Sequence, residues 1–267
     1  LVEGTIKGDT TTKQFCGSVL SALSSFDACK APLCDLGAIS ALKSLAELND
    51  DVSQQRCLVA FANMSYEESV RVRMVEEGVV ACVAALIGNS YQEKNYVCCA
   101  KALCNLACSE GTRSKVAEEG GVHALLMISM VHSVDRHTKL LCVMALYNLL
   151  DEHTIDFMIE QNISSSIANL CKLDDDKVVH ICSRMYNYLS KFNSAMENMT
   201  SKVSVTFNAI ATMRWNENEE TKMIAARTTA NLSLCDNREV ANAINNAGAL
   251  EIQTIGARLD DYGAAMQ

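Results

Sequence analysis

The densest group of side chains able to ligate a metal or do thiol chemistry is Cys98, Cys99, Cys104 and Cys108. Cys104 and Cys108 lie four apart and share a face if the segment is helical, a spacing compatible with half of a tetrahedral thiolate site. The other half is missing, because no Cys-x-x-Cys knuckle occurs and Cys99 falls on a packing column described below. Most of the thirteen cysteines sit in apolar stretches such as 96–108, as small buried fillers do. That usage indicates a reducing, cytoplasmic setting, with nucleus or cilium as variants, and not a disulfide framework. No metal and no cofactor are expected.

Other reactive side chains form no constellation. The five histidines, His123, His132, His137, His153 and His180, are scattered. There is no Gly-rich phosphate loop, no Gly-x-Ser-x-Gly elbow and no His-Glu-x-x-His, so no enzyme is expected. The acidic run Asp174-Asp175-Asp176 sits where a turn should lie, and short acidic side chains there cap helices. Sequons at Asn63, Asn162, Asn198 and Asn231 are read as incidental, since the asparagine column described next persists without them.

The elements that must carry these residues are helices. The chain of 267 residues is 49% hydrophobic but 5% aromatic, with one proline, a balance that suits packed helices better than a turn-rich sandwich. A net charge of −9 argues against a broad nucleic-acid face. No apolar run approaches the ~18 residues of a membrane span, so no membrane insertion is expected. The chain starts at Leu1 without Met and shows no polar caps, and is expected to be a piece of something longer.

One asparagine recurs at the end of an apolar helical run: Asn63, Asn105, Asn148, Asn187 and Asn231, with separations of 42, 43, 39 and 44 residues. Such a period marks a two- or three-helix solenoid repeat. Six before each lie Cys57, Cys99, Cys142, Ile181 and Ala225; three before lie Ala60, Ala102, Ala145, Arg184 and Thr228. These offsets share a helical face that must be buried. Arg184 breaks that column, so the fourth repeat is expected to be distorted around a buried guanidinium.

A second landmark precedes each of these helices: Gly37, Gly78, Gly120 and Gly248, with Asn162 in the glycine place of repeat four and none visible near 203. Gly or Asn there supplies a left-handed residue that ends one short helix and redirects the chain into the next. Polar turns follow at 49–51, 88–90, 174–176 and 216–218, and a third helix carrying the asparagine completes the unit.

A short helix ending Glu-Glu-Gly, as at Glu76-Glu77-Gly78 and Glu118-Glu119-Gly120, then a Gly-x-Ile/Val helix, then Ala-x-x-Ala-Leu-x-Asn-Leu resembles the armadillo repeat. The resemblance covers about 31–256 and implies an all-α, right-handed superhelical solenoid of about five to six three-helix repeats. Boundaries are expected at 1–30 (a degenerate leading repeat), 31–69, 70–112, 113–154, 155–194 (divergent), 195–238 and 239–267 (partial).

The resemblance also implies that the asparagines line a concave groove. Their stripe neighbours, seven and four before, are Arg56 and Val59, Cys98 and Lys101, Leu141 and Met144, His180 and Ser183, Ile224 and Arg227. A carboxamide can bond the N–H and C=O of an extended peptide, or tie down a neighbouring helix end; the sequence leaves both open. In nuclear-import armadillo adaptors a Trp stands four before the Asn, which this chain lacks, so lysine-signal recognition is not expected. Arg56, Lys101 and Arg227, with apolar Leu141 and Met144, instead suit an acidic, hydrophobic partner segment, extended or helical. The function expected is a protein-binding scaffold or adaptor. The alternative is a structural part of a larger cytoskeletal or vesicle-tethering assembly that contacts neighbours by the convex face and ends.

Overall fold

The computed structural model describes residues 1–48, 50–89, 93–173, 175–235 and 240–242, all in helices or the joins between them. The expected Gly248 landmark, most of the partial repeat at 239–267, and Asn49, Ser90 and Asp174 of the expected turns lie outside these residues. No strand occurs among the described residues, and none of their helices is long and apolar enough to cross a membrane.

The chain divides into two units, Leu1–Leu149 and Leu150–Gln267. The first opens with α1 (Val2–Lys7) and α2 (Thr10–Leu23), followed by α3 (Asp27–Asp35), α4 (Ala38–Ala46) and α5 (Asp51–Met64). Next come α6 (Glu68–Glu76), α7 (Val79–Asn89) and α8 (Glu93–Ala107). The last triplet is α9 (Arg113–Val116), which runs on through a wide turn at Ala117–Gly121, then α10 (Val122–Met130) and α11 (Arg136–Asn148). The second unit holds α12 (Ile155–Glu160), α13 (Ile163–Leu170) and α14 (Asp176–Leu189), then α15 (Asn193–Ser201), α16 (Val203–Arg214) and α17 (Glu219–Ser233).

Like helices stack on like. In the first unit α2, α5, α8 and α11 pack in succession, as do α4, α7 and α10; in the second α12, α13 and α14 pack on α15, α16 and α17. Each third helix buries a full stripe, such as Cys57, Leu58, Ala60, Phe61 and Met64 on α5 and Cys99, Ala100, Ala102, Leu103 and Leu106 on α8. Each large apolar member contributes about 1.5–3 kcal/mol of transfer free energy. The small cysteine and alanine members let neighbouring helices approach, which is why the cysteine column is core.

Local signals set the joins. Gly37, Gly78, Gly120 and Asn162 have φ of 80°, 77°, 94° and 61°, and these are the only positive values among the described residues. Each stands between a first and a second helix, as the sequence pattern requires. Lys202, at the corresponding join of α15 and α16, has φ −117°, so repeat five turns without a left-handed residue. Asp9, Asp50, Asp135, Asp175 and Asn218 each accept backbone N–H groups at the start of α2, α5, α11, α14 and α17. The acidic run is thus a capping turn, in which Asp175 caps α14 and Asp176 Oδ1 accepts from Asn216 Nδ2 at 2.7 Å.

Two expectations about repeat four are corrected. Arg184 is exposed, not core, and Asn187 is not the counterpart of the other asparagines. The capping residue stands thirteen before Asn63, Asn148 and Asn231, yet only twelve before Asn187. Counted from the cap, Tyr188 takes the asparagine place, Cys182 joins Cys57, Cys99 and Cys142 in the buried column, and Met185 takes the small-residue place. Cys182 and Met185 are fully buried and Arg184 turns out to solvent, so the helix packs like its neighbours without a buried charge. Ser164 stands two residues after Asn162, where α4, α7 and α10 carry Ile39, Val80 and Val122, and its polar group is absorbed by hydrogen bonds: its Oγ donates to Asn198 Oδ1 at 3.0 Å, and Tyr186 donates to its carbonyl at 2.7 Å.

Candidate functional site

Four of the third helices carry their asparagine, Asn63, Asn105, Asn148 or Asn231, at a matching position. Each of these four amides is half-buried and donates back to the C-terminal end of the preceding third helix. Asn63 Nδ2 reaches Ser24 Oγ at 3.1 Å, Asn105 reaches Ser65 Oγ at 3.1 Å, and Asn148 reaches Cys108 Sγ at 3.4 Å. In the second unit Asn231 reaches Ser190 Oγ at 2.9 Å. The acceptors donate in turn to helix-end carbonyls, Ser24 to Ser21, Ser65 to Ala62, Cys108 to Cys104 and Ser190 to Asn187. The relay satisfies carbonyls that lack an intrahelical donor and pins successive repeats together.

Of the two roles the sequence left open, helix tying is the one these bonds display. One N–H of each amide is used. The other N–H and the Oδ1 of Asn63, Asn105, Asn148 and Asn231 have no partner among the described residues. These atoms retain the donor and acceptor that a peptide backbone requires. Asn187, one position off, makes no side-chain hydrogen bond among the described residues.

Around the asparagines in the first unit, Lys101 is exposed and Met144 is 40% exposed, while Val59, Cys98 and Leu141 are half-buried. Arg56 is held down by a hydrogen bond of 3.2 Å from its guanidinium to the Gln14 carbonyl. Counting from the helix ends puts Phe15 of α2 in line with Arg56, and its ring is 68% exposed. In the sequence nothing aligns Phe15 with Arg56, because α2 has no asparagine to mark its register.

In the second unit the corrected register changes the list. His180 leaves the stripe: its Nδ1 lies 2.9 Å from Thr221 Oγ1 and its Nε2 3.9 Å from Glu220, so it joins α14 to α17. Ser183 is buried with its Oγ on the His180 carbonyl at 2.7 Å. Exposed Arg184 takes the place four before Tyr188, matching exposed Arg227 four before Asn231; Ile224 is buried. The cap spacing would have revealed this from sequence.

No family model and no curated protein matches the chain. Solved structures do. A designed armadillo repeat protein, YIII(Dq)4CqI, matches with a TM-score of 0.67 and 18% identity over 86% of this chain and 98% of its own. A structure of computationally designed armadillo repeat proteins for modular peptide recognition matches with a TM-score of 0.71 and 18% identity, over 86% of this chain and 97% of its own. The chain has the armadillo-repeat fold. A third designed armadillo protein, YIII(Dq.V1)4CPAF in complex with peptide (KR)4, matches with a TM-score of 0.68 at 17% identity, over 86% of this chain and 97% of its own. At these identities the likeness extends to the armadillo fold and not to the residues on its surface.

Proposed function

We propose that this armadillo chain is a non-catalytic scaffold that holds an extended partner segment along the asparagine face. The observation that carries the reading is the unused carbonyl and N–H on Asn63, Asn105 and Asn148, repeated at the spacing of the stacked helices of the first unit, with the same unused groups on Asn231 in the second. Helices ~8–10 Å apart meet a strand rising ~3.3 Å per residue once every two or three residues. One amide per repeat can then bond the peptide backbone whatever its side chains.

Charge sets the preference. One structural neighbour is described with a Lys-Arg peptide, whereas here Arg56 and Lys101 stand on this face in the first unit and Arg184 and Arg227 in the second. Like charges across an interface repel, so the segment this face accepts is acidic, with apolar residues for Phe15 and Met144. A display library of random extended peptides selected on the folded chain tests this. Enrichment of Asp/Glu alternating with apolar residues supports the reading, and enrichment of Lys/Arg overturns it.

A further inference from the structure

The second helices α4 and α7 flank a cleft of about 550 Å³ in the first unit, a size within the range of small-molecule sites. Its wall on α7 is made of small side chains, Gly78, Ala81, Cys82 and Ala85, which share one helical face. Counted from the left-handed glycine, Ala81 and Ala85 stand where α10 carries His123 and Met127, so it is the small residues of α7 that leave the cleft open.

Among the described residues two charged side chains line this cleft, Lys43 and Glu47, both from α4. Opposite charges four apart on a helix ordinarily pair with each other. Here Lys43 Nζ donates instead to the Glu77 carbonyl at 2.6 Å, at the turn that Gly78 makes. The Glu77 carboxylate is taken by Arg73 Nε at 2.8 Å, and neither Lys43 nor Glu47 has an ion-pair partner among the described residues. Gln54, the remaining polar group of the lining, donates to the Leu48 carbonyl at 3.2 Å. An ammonium and a carboxylate, held apart and each without a counter-charge, therefore meet one apolar wall. Lys43 is also half-buried, and a charge in that position is screened less than one on the open surface.

We propose that the cleft binds a small zwitterion of the amino-acid class with an apolar side chain. Its carboxylate lies on Lys43, its ammonium on Glu47 and its side chain against Ala81, Ala85 and Leu86. A ligand with one charge leaves the other charge of the cleft uncompensated, and a ligand without an apolar body leaves the alanine wall in water.

Cys82, half-exposed in this cleft, serves as the reporter. The full chain is alkylated with iodoacetamide alone or with rising leucine, N-acetyl-leucine (the anion only) or leucine amide (the cation only), and peptide mass spectrometry reads the rate at Cys82 with exposed Cys108 as internal control. Leucine should slow Cys82 and not Cys108, at lower concentration than either singly charged compound. Lys43→Gln should raise the leucine concentration for half-protection roughly tenfold, and Glu47→Gln, at an exposed carboxylate, roughly two- to fivefold, each rate taken relative to the same variant without ligand. Circular dichroism checks that both variants stay helical. Should Cys82 resist alkylation in the free chain, isothermal titration with the same three compounds makes the same comparison. Absence of leucine binding overturns the proposal, as does equal binding of all three compounds or unchanged leucine binding in the two variants.

Discussion

At the scale of single residues, the asparagines and the cations around them do different work, and substitution separates them. Asn105 Nδ2 is bonded to Ser65 at the end of the preceding repeat. Asn105→Ala should therefore lower stability by about 0.5–1.5 kcal/mol, the net worth of such a bond. Exposed Lys101 makes no such tie, and Lys101→Glu should stay within about 0.5 kcal/mol of wild type. Urea denaturation of both variants checks the contrast. The recurring asparagine was legible in the sequence, but its bond to the preceding helix end was not. Its partners, Ser24, Ser65, Cys108 and Ser190, differ in type and in offset, so they form no column until the helices are stacked.

At the scale of the helix, the capping residue fixes where each stripe begins, and α14 is the case that decides it. Met185 is fully buried and Arg184 exposed. Met185→Ala should cost about 2–5 kcal/mol and Arg184→Ala about 0.5 kcal/mol or less, read from denaturation midpoints. The reverse order would restore the register counted from Asn187. The sequence misled here because the residue type repeated one position early, whereas Asp175 and Cys182 kept the true spacing. Capping also ties stability to pH. The hydroxyl of Thr138 and its backbone N–H hold the Asp135 carboxyl below its ordinary value. A depressed folded value means that the contribution is fully present above the unfolded value, about 3.9, and is lost as pH falls through the lower folded one. Asp135→Asn still caps the helix but does not titrate, so its denaturation midpoint should fall less than that of wild type across this acid range.

At the scale of the molecule, the fold was almost wholly legible, because a period of about 42 residues repeats its left-handed joins and apolar stripes many times over. One ambiguous copy, the fourth, could not change the fold. Surface chemistry is written once per position, without such redundancy, and so the candidate face was legible only in part: Lys101, Met144 and Arg227 are exposed where the pattern put them, while His180 and Asn187 are not on the line. The face proposed in the first unit, with Phe15, Arg56, Lys101 and Met144, is basic and apolar within a chain of net charge −9. Its partner should bind with a salt dependence set by a few local cations and not by the overall charge.

The most direct test is a titration of a fluorescent acidic, apolar peptide from the display selection against wild type and Lys101→Glu, at low and high salt, with helicity checked by circular dichroism. Reversing one exposed cation in the contact should weaken binding by about 1.4 kcal/mol or more, roughly tenfold, with the gap narrowing as salt rises. Equal affinity in the two proteins at low salt, with helicity intact, would contradict binding along the asparagine face and move the partner to another surface of the armadillo array.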